Sequence, residues 1–580
     1  MSAPLPTHLT ATDDEMTNPV SALAIATLAT LGALAPAHAG EAWASTATKV
    51  VAPEFAAAIG KDAMKAGETV HVALALHMHD KAGLDAFVDG IASGRTTSRL
   101  TSAGFLAHYA PTPAEAEAVA SYLRRSGFTG VQVAKNRMLV TATGTVAAAE
   151  AAFNTRLGRF EVDGREAYAN LTEAQVPAHL GGIVHAVLGL QTISVGHSMK
   201  ARAAHDTAAT GKTKGVAVSH YASDFSTLYD ADGLPPATNS TIAIFTLGDV
   251  SQTLADLKLY TAMMGYPDVD VRTIQTSEPS SDASGVDEWN MDTQASLGAA
   301  GGQVKQMLLY VGTDFSDASI EAEFNAFVAD DLAQTFSNSW GGCELVDQAT
   351  GMEAATDAIL EVAIAQGQTV AVSTGDSGSY TCGSAKGAQA YPAVSPWVMA
   401  IGGTTVYSRN GKPASYEMET AWSCAGASDC FDWGGTGGGV SRTEPTPSWQ
   451  RPVTARHGNA KMRAIPDVAF DGDPTSGLLM MYYGSVDTQY PIAGTSLSAP
   501  IFAGLWTRIQ SAHANTLGFP GMSLYGLHDT DGGVFHDVRS GENGGYATTP
   551  GWDPVTGFGS LDTAKFNAFI DANLGAFSRP

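Results

Sequence analysis

The sequence predicts an α/β protein in two parts, of which the larger, C-terminal part is built around a parallel sheet. Strand-like and helix-like segments alternate along the chain, which is the pattern of sheets covered by helices. Hydrophobic residues make up 44% of the 580 residues and charged residues only 16%, which provides for large cores and excludes a disordered chain. Residues 200–215 are small and polar without periodicity, so we interpret them as a linker between the parts.

The first 39 residues have the pattern of a secretory signal peptide. No charged residue stands between Glu15 and Glu41, and an Ala-, Leu- and Thr-rich run at 20–35 precedes a small-x-small cleavage site that ends at Ala39. Acids but no Lys or Arg precede this run, which leaves Met16 open as the true start. A retained anchor helix is the alternative, but the run is too rich in Ala, Thr and Gly for a convincing span. We expect cleavage after Ala39 and secretion.

Residues 40–199 are expected to form the smaller α/β part. Apolar residues recur with period two over 70–78, which predicts a half-buried strand. Residues 112–115 form a capping box with Pro at the first helical position, and the helix that it opens is expected to run to Leu123. A second helix is expected over 146–153.

Residues 216–580 are expected to form the larger part, in which apolar runs alternate with helical patterns. The expected strands cover 241–247, 304–311, 335–339, 369–373 and 397–401. The expected helices cover 288–300, 320–333, 354–366 and 501–509. No internal repeat is present in the sequence.

The charge of the chain is concentrated in the larger part. The net charge is -26, and residues 206–580 hold 41 acids and 17 bases, against 17 acids and 15 bases in residues 1–205. This balance excludes nucleic acid and an anionic membrane surface as partners. The acidic part loses much of its self-repulsion at acid pH, where carboxylates take up protons.

The four cysteines, after an export signal, favour two disulfides. Three pairings are formally open. Cys424 and Cys430 are close enough for a small loop, which leaves Cys343 to pair with Cys382. No CxxC pattern or nearby His accompanies them, so a metal site is disfavoured.

Ser496 is the first candidate for a catalytic residue. It lies in Gly494–Pro500, where small residues precede a helical run, and a hydroxyl at a helix N-terminus has backbone N–H groups available for an oxyanion. The alternative is an ordinary N-cap serine. A histidine base lacks support, because the only His-Gly pair after the linker, at His457, continues into Asn459 in a polar loop.

Glu288 and Asp292 are the candidates for the general base and the carboxyl that accompanies it. Four residues apart, they share one face of an expected helix, where like charges repel unless they share a proton or serve chemistry. The alternative is a solvated surface pair.

With these motifs the sequence resembles the sedolisin, or serine-carboxyl peptidase, family, to which kumamolisin and the tripeptidyl peptidases belong. The resemblance covers nearly all of the chain after the signal. Further motifs match in the family's order, at 105–112 in the activation prodomain, 339–342 in the substrate strand, 375–378 around the oxyanion donor, and 537–538 with 550–557 in the calcium loop.

The resemblance implies a role for each catalytic candidate. Ser496 would be the nucleophile, Glu288 its base and Asp292 the residue that orients the base. A carboxyl with a pKa of about 4.3 is an unprotonated base at acid pH, where histidine would be protonated. Asp376 would stay protonated and donate to the oxyanion, which needs a raised pKa. The residues implied to bind substrate are Ser339, Trp340 and Gly341.

The resemblance also implies one calcium ion in the catalytic domain, held by two Asp side chains and by backbone carbonyls. The implied ligands are Asp537, Val538, Thr549, Gly551 and Asp553. Thr549 stands where the family usually has Gly, a change that a carbonyl ligand survives. Thr246 stands where the kumamolisin branch has a Glu that extends the catalytic hydrogen-bond chain, so a kumamolisin-like pH profile is not implied.

The implied architecture is a ferredoxin-like activation prodomain at 40–199, a linker at 200–215 and a subtilisin-like peptidase domain at 216–580. The implied function is that of a secreted, monomeric, acid-active endopeptidase that cuts proteins and peptides. Its own prodomain would act as intramolecular inhibitor and chaperone, and the precursor would cleave itself between His197 and Tyr221. No nucleic acid, and no membrane after signal removal, is expected as a partner. The alternatives are a tripeptidyl-peptidase, a neutral or alkaline subtilisin-type peptidase, and an inactive binding homologue.

Three histidines of the prodomain, His71, His77 and His79, are expected on one strand. A solvent-facing edge is favoured over a metal site. A secondary hypothesis is that their protonation near about pH 6 loosens the prodomain from the acidic peptidase.

Overall fold

The computed structural model describes residues 42–579 except for 52–56, 163, 194–195, 203–213, 384–386, 460, 487, 489–490 and 528–532. The expected signal peptide and most of the expected linker lie outside the described residues. None of the helices in the described ranges has both the length and the apolar character to cross a bilayer.

The N-terminal part consists of strands and helices that end just before the undescribed linker residues. Its strands are β1 (Trp43–Ser45), β2 (Ala57–Ala63), β3 (Thr69–Leu76), β4 (Thr129–Val133), β5 (Leu139–Thr145), β6 (Leu157–Val162), β7 (Arg165–Asn170), β8 (Gln175–Pro177), β9 (Val184–Leu188), β10 (His197–Ser198) and β11 (Ala201–Arg202). Its helices are α1 (Lys81–Ala92), α2 (Ser102–His108), α3 (Pro113–Arg125) and α4 (Val146–Ala152).

The main sheet of this part is antiparallel, with the strand order β4-β5-β3-β9. Helices α1 to α3 connect β3 to β4, and α4 follows β5, with β6 to β8 between α4 and β9. This is the ferredoxin-like βαββαβ arrangement, which confirms the fold expected for the prodomain.

Strand β3 contacts two cores at once. The side chains of Val70, Val72 and Leu74 are buried with α3 and α4 on one face. Ala73 and Ala75, on the other face, are small and belong to the core of the C-terminal part. The prodomain is therefore packed on the peptidase through a face of its own sheet.

Two local expectations for this part have different outcomes. The capping box is confirmed, because Glu115 N–H donates to Thr112 Oγ1 at 3.2 Å and Thr112 N–H donates to Glu115 Oε2 at 2.7 Å. The expectation that the strand extends to Met78 is wrong, because it ends at Leu76. His77 and His79 consequently lie beyond the strand, although both side chains are exposed as expected.

The C-terminal part contains one large sheet, short hairpins and helices on both faces. Its strands are β12 (Ala237–Leu247), β13 (Val271–Gln275), β14 (Val304–Gly312), β15 (Thr335–Asn338), β16 (Trp340–Cys343), β17 (Thr369–Ser373), β18 (Ala390–Tyr391), β19 (Met399–Ser408), β20 (Tyr416–Ala421), β21 (Gly439–Pro445), β22 (Met462–Ile465), β23 (Val468–Asp471), β24 (Met481–Tyr482), β25 (Ser485–Val486), β26 (Ile492–Ala493), β27 (Phe535–His536) and β28 (Ser560–Leu561). Its helices are α5 (Asp224–Leu228), α6 (Ser251–Met264), α7 (Val286–Ala299), α8 (Asp317–Asp330), α9 (Glu344–Thr350), α10 (Met352–Ala365), α11 (Ala427–Trp433), α12 (Arg451–Thr454), α13 (Thr495–Ala512), α14 (Pro520–Leu527), α15 (Thr563–Ala572) and α16 (Leu574–Phe577).

The large sheet has the order β13-β14-β12-β15-β17-β19-β20, and β23 also pairs with β19. All neighbours are parallel except the edge strand β20, which is antiparallel to β19. Each expected strand of this part falls on an observed one, with differences of a few residues at the ends. Loops that follow β15 and β17 leave the same edge of the sheet, which is where ligands bind in parallel α/β folds.

Both disulfides form as the spacing favoured. Cys343 pairs with Cys382, and Cys424 pairs with Cys430.

Candidate active site

Ser496 is the second residue of α13 and is fully buried. Its Oγ donates a hydrogen bond to the Ser339 carbonyl oxygen at 3.1 Å. Its backbone N–H donates to the Met199 carbonyl oxygen at 2.8 Å. The expected nucleophile therefore lies at a helix N-terminus, where its N–H has no partner within the helix and binds the carbonyl of Met199.

Helix α13 begins earlier than the sequence predicts. We expected the helix to begin after Pro500, but it begins at Thr495 and contains this proline. Proline lacks the N–H that would bond to the carbonyl four residues earlier, which is that of Ser496. The freed Ser496 carbonyl lies 3.2 Å from Ser339 Oγ, which also contacts Asp292 Oδ1 at 2.7 Å. One hydroxyl thus connects the start of α13 to the expected carboxyl pair.

Glu288 and Asp292 lie one turn apart on α7, and both side chains are fully buried. The alternative of a solvated surface pair is therefore wrong. Burial raises the pKa of Glu288 to about 7, and the Lys200 charge is the largest influence that opposes this rise. Burial, followed by the Glu288 charge, raises the pKa of Asp292 well above its usual value. Two such carboxyls hold at least one proton between them at acid pH.

The Glu288 carboxyl is not engaged in a well-formed hydrogen bond within the described residues. The Ser496 hydroxyl instead donates to the Ser339 carbonyl. To transfer its proton to Glu288, the hydroxyl must rotate away from that carbonyl.

Asp376 lies in the loop after β17. Its Oδ1 accepts hydrogen bonds from both the N–H and the Oγ1 of Thr495, each at 2.8 Å. Its Oδ2 is buried and accepts none within the described residues, although the residue as a whole is only half-buried. Burial, with a smaller contribution from the Glu288 charge, raises the pKa of Asp376 well above its usual value.

Gly494 lies next to both the Met199 carbonyl oxygen and Asp376 Oδ2. Its φ of 104° is in the region that favours glycine. A β-carbon at this position would overlap the Met199 carbonyl oxygen and would lie 2.5 Å from Asp376 Oδ2. The Met199 carbonyl oxygen, which accepts the Ser496 N–H, and Asp376 Oδ2 therefore both lie next to the Gly494 backbone.

The strand expected to bind substrate, at 339–341, pairs with the chain's own residues. His197 lies opposite Gly341 and Ser198 opposite Trp340, in antiparallel register, and Met199 N–H donates to the Ser339 carbonyl at 3.1 Å.

On the other side of Ser496, β11 pairs antiparallel with β26, so that Ala201 lies opposite Ala493. Residues 201 and 202 were expected to belong to the linker, but they form β11 and pair with β26. We call residues 197–202 the cleft segment.

Sequence reasoning missed the contribution of the cleft segment and of Asp287. Lys200 Nζ lies 2.5 Å from Asp287 Oδ1, and Asp287 Oδ1 also accepts from Glu288 N–H at 3.0 Å. The Met199 side chain is almost completely buried. No sequence signal pointed to these residues, because the segment is too short for periodicity.

Both disulfides support the loop that carries Asp376. Cys382 follows this loop and is bound to Cys343 at the end of β16. A β-carbon at Gly378 would lie 2.8 Å from the sulfur atoms of both Cys424 and Cys430. The loop is thus covalently tied to the substrate strand and packed against the second disulfide.

The expected calcium residues form a compact loop. Asp553 is fully buried; its Oδ2 accepts from Thr549 N–H at 2.8 Å, and its Oδ1 accepts from two N–H groups of its own turn at 2.9 Å. Both carboxylate oxygens of Asp537 accept from Gly551 N–H at 3.1 Å, and Val538 is buried beside them. The two carboxylates therefore hold the same short segment, 549–551.

Oxygen donors of this kind fit a hard cation. Burial raises the pKa of Asp553 to about 6, and none of the ion pairs between described residues neutralises it. Thr549 does not adopt the left-handed conformation, so its replacement of Gly introduces no strain.

Other candidates do not reach the site. Thr246 donates its hydroxyl to the Tyr310 carbonyl at 2.7 Å, so that hydroxyl is engaged in the sheet. His457 is exposed and its ring lies 5.4 Å from that of Trp552.

His77 stacks on His185 at 4.4 Å. Burial lowers the pKa of both rings, that of His185 to about 4. Titration of His77 near its ordinary pKa, as the prodomain-release hypothesis assumed, is therefore disfavoured.

Comparison with known proteins links these features to one family. Residues 57–193 match the pro-kumamolisin activation domain, and residues 290–525 match the subtilase family. Sedolisin from Pseudomonas sp. (strain 101) is 40% identical over 577 residues, which cover 95% of this chain and 96% of that protein. Xanthomonalisin from Xanthomonas sp. (strain T-22) is 35% identical, over 88% of this chain and 66% of that protein.

A solved structure gives the same relationship. Pseudomonas sedolisin, a serine-carboxyl proteinase complexed with two molecules of pseudo-iodotyrostatin, matches with a TM-score of 0.58 at 40% identity. The match covers 62% of this chain and 100% of that chain.

Proposed function

The chain belongs to the sedolisin family of serine-carboxyl peptidases, and from this premise we propose that it is an acid-active endopeptidase made as a self-processing precursor. Ser496 is the nucleophile, Glu288 its base and Asp376 an oxyanion donor. The single observation that carries the proposal is the position of the Met199 carbonyl, which accepts the Ser496 N–H at 2.8 Å in front of Asp376. A peptide carbonyl there is placed for attack by the neighbouring hydroxyl.

In the proposed mechanism the Ser496 hydroxyl turns from the Ser339 carbonyl to Glu288 and gives up its proton as it attacks. Asp292 lies one turn from Glu288 on α7 and accepts the Ser339 hydroxyl at 2.7 Å, which fixes its position beside the base. The carbonyl oxygen becomes an oxyanion between the Ser496 N–H and the protonated Asp376 carboxyl. Glu288 then returns its proton to the leaving nitrogen.

The pKa shifts support activity in acid. Asp376 works only when protonated, and its raised pKa extends that form upward from the acid range. Burial is the largest cause of the raised pKa of Glu288, and the cleft segment contributes to that burial. The Lys200 charge and the Ser198 hydroxyl of the same segment oppose that rise.

An endopeptidase is favoured over a tripeptidyl-peptidase by the course of the chain through the cleft. Polypeptide continues on both sides of Ser496, with Gly196 packed against the Trp340 ring before the segment begins. A cleft that accepts chain in both directions accommodates internal bonds. The inactive homologue has no support, because none of the candidate catalytic residues is substituted.

We further propose one calcium ion at the loop of 549–553. The Asp537 and Asp553 carboxylates and the carbonyls of Val538, Thr549 and Gly551 would hold it. The Asp553 carboxyl is buried and is not neutralised by any of the ion pairs between described residues, which supports this assignment. Calcium there would supply structural stability rather than chemistry.

Secretion and a monomeric state are also proposals. The signal pattern before Ala39 and the two disulfides support an extracellular location. The cleft segment, covalently continuous with the prodomain, supports intramolecular inhibition.

The experiment is incubation of purified precursor at about pH 4, where a carboxyl with the raised pKa of Asp376 is protonated, followed by electrophoresis and N-terminal sequencing. Wild type should shorten to a mature form, whereas Ser496→Ala and Glu288→Ala should remain at full length. Glu278→Ala, which removes an exposed carboxylate ahead of the same helix, is the matched control and should process normally. Processing of either active-site variant at the wild-type rate would overturn the proposal.

A further inference from the structure

The cleft segment presents one particular peptide bond to the proposed catalytic residues. We propose that Met199–Lys200 is the first bond that the precursor cuts in itself, and that Asp287 makes the peptidase prefer a cationic residue directly after the cut bond. The inference rests on the proposed function, which it extends to a scissile bond and a substrate class.

The register of the segment identifies the bond. Both backbone polar groups of Met199 are held. Its N–H donates to the Ser339 carbonyl at 3.1 Å, and its own carbonyl accepts from the Ser496 N–H at 2.8 Å. Residues before it pair with the substrate strand, and residues after Lys200 pair with β26. The carbonyl carbon of Met199 is therefore the one placed at the nucleophile.

The Met199 side chain fills a pocket that is built around glycine. A β-carbon at Gly341 would lie 2.8 Å from Met199 Cε, and one at Gly375 would lie 3.8 Å from Met199 Sδ. Ala390 borders the same space. The side chain keeps 3% of its exposed area, so the pocket is closed around an unbranched apolar residue.

Lys200 has a charged partner on the other side of the bond. Its Nζ lies 2.5 Å from Asp287 Oδ1, and the two side chains retain 27% and 14% of their exposed areas. The aliphatic stem and the ammonium are thus both largely withdrawn from water beside one carboxylate. Asp287 is the residue before Glu288 on α7, so this contact is fixed relative to the base.

The step balances with water as the only co-reactant. Ser496 Oγ bonds to the Met199 carbonyl carbon while its proton passes to Glu288. The bond between that carbon and the Lys200 nitrogen breaks, and Glu288 protonates the nitrogen, which leaves as an amine. Water then adds to the ester carbon, gives one proton to Glu288 and releases Ser496, which recovers that proton. One water is consumed, and a carboxyl at Met199 and an amine at Lys200 are formed.

The first test uses the full precursor, sampled at the earliest times after acidification. The first new N-terminus should be Lys200, and Lys200→Glu should slow its appearance by about fivefold or more, since a like charge then faces Asp287. Lys214→Glu, the same charge change at an exposed residue beyond the cleft segment, should process at the wild-type rate. A first cut at another bond that still depends on Ser496 would overturn this inference and leave the proposed function intact. No Ser496-dependent cut at all would overturn both.

The second test uses the mature enzyme and peptides with Met before the bond and either Lys or norleucine after it. Norleucine keeps the stem of lysine without its charge. The wild-type ratio of kcat/KM for Lys over norleucine should be about fivefold, as a partly exposed ion pair supplies, and Asp287→Asn should bring it to about one. Any effect of the substitution that both substrates share cancels in the ratio, and the influence of the Lys charge on Glu288 is present in both enzymes.

Asp268→Asn, an exposed carboxylate before β13, is the matched control and should leave the ratio unchanged. An Asp287→Asn enzyme that keeps the wild-type ratio would remove Asp287 as a specificity residue. A wild-type ratio of one would do the same.

Discussion

Replacement of Asp376 by Asn tests the proposed oxyanion donor, because it separates donation of a hydrogen bond from titration. Asp376 Oδ1 accepts two hydrogen bonds from Thr495, while Oδ2 is buried beside the Met199 carbonyl. An Asn in the same rotamer keeps its Oδ1 for Thr495 and places an NH2 where Oδ2 lies. The variant therefore still donates but no longer ionises.

The direction of the pH effect follows from the raised pKa. Burial stabilises the neutral form of Asp376, so the donor is present at acid pH and is lost as the pH rises through its folded-state pKa. In wild type this loss should set the neutral-side limb of kcat/KM, and ionisation of Glu288 should set the acid-side limb. The Asn variant should keep its activity further toward neutral pH.

The size of the effect follows from the number of donors. Loss of one oxyanion donor costs on the order of 10²–10³ in rate, which is the expectation for Asp376→Ala. Asn retains a donor with imperfect geometry, so its plateau should fall by about tenfold, which is less than the loss for Ala. Asp376→Ala should not recover the neutral-side limb, because it has no donor at any pH.

The assay is kcat/KM against pH for the activated enzymes, with folding checked by circular dichroism at each pH. A neutral-side limb of the Asn variant at the wild-type position would assign that limb to another group. The role given to Asp376 would then be refuted.

Three further predictions concern stability and the loops around the site. Calcium should raise the melting temperature of the mature enzyme, and Asp553→Ala should lower that temperature and remove its dependence on calcium; a melting curve indifferent to both would reject the site. Replacement of Cys343 and Cys382 by Ser should lower kcat by about tenfold or more with a smaller change in KM, because the Asp376 loop loses its covalent tie; an unchanged kcat would show that the tie does not position the loop. Burial raises the pKa of Glu353 to about 7, with a hydrogen bond from Glu444 opposing the rise, so its contribution to stability is full below its ordinary pKa of 4.5 and is lost as the pH rises through about 7. Glu353→Gln should therefore flatten the fall of melting temperature toward neutral pH, and an unchanged slope would contradict this.

The sequence predicted the fold well where the pattern is local or strongly periodic. The capping box at Thr112 and the apolar run at 369–373 each specify one element by nearest-neighbour chemistry, and both form as expected. The start of α13 was misjudged because the helix was expected only over 501–509, after Pro500. The missing N–H of this proline leaves the Ser496 carbonyl for Ser339, a partner that is distant in sequence.

The sequence predicted which residues form the candidate site, but it did not predict that the cleft segment covers them. Glu288 and Asp292 were found by spacing and resemblance, but their burial and raised pKa depend on what covers them. The cleft segment provides part of that cover through pairings of two residues on each side of Ser496. Such short pairings have no periodicity to detect, so Met199 and Lys200 were not identified from the sequence.

The identity of the nucleophile is tested most directly by trapping the covalent intermediate. The mature enzyme would be mixed with an activated peptide ester, quenched in acid during the burst, digested with trypsin and mapped by mass spectrometry. The account predicts that the acyl group is found on Ser496, within the peptide between Arg463 and Arg508. It also predicts that Ser496→Ala, matured in trans by immobilised wild-type enzyme, shows neither the burst nor the adduct. An acyl group on any other residue, or a burst that survives in Ser496→Ala, would contradict it.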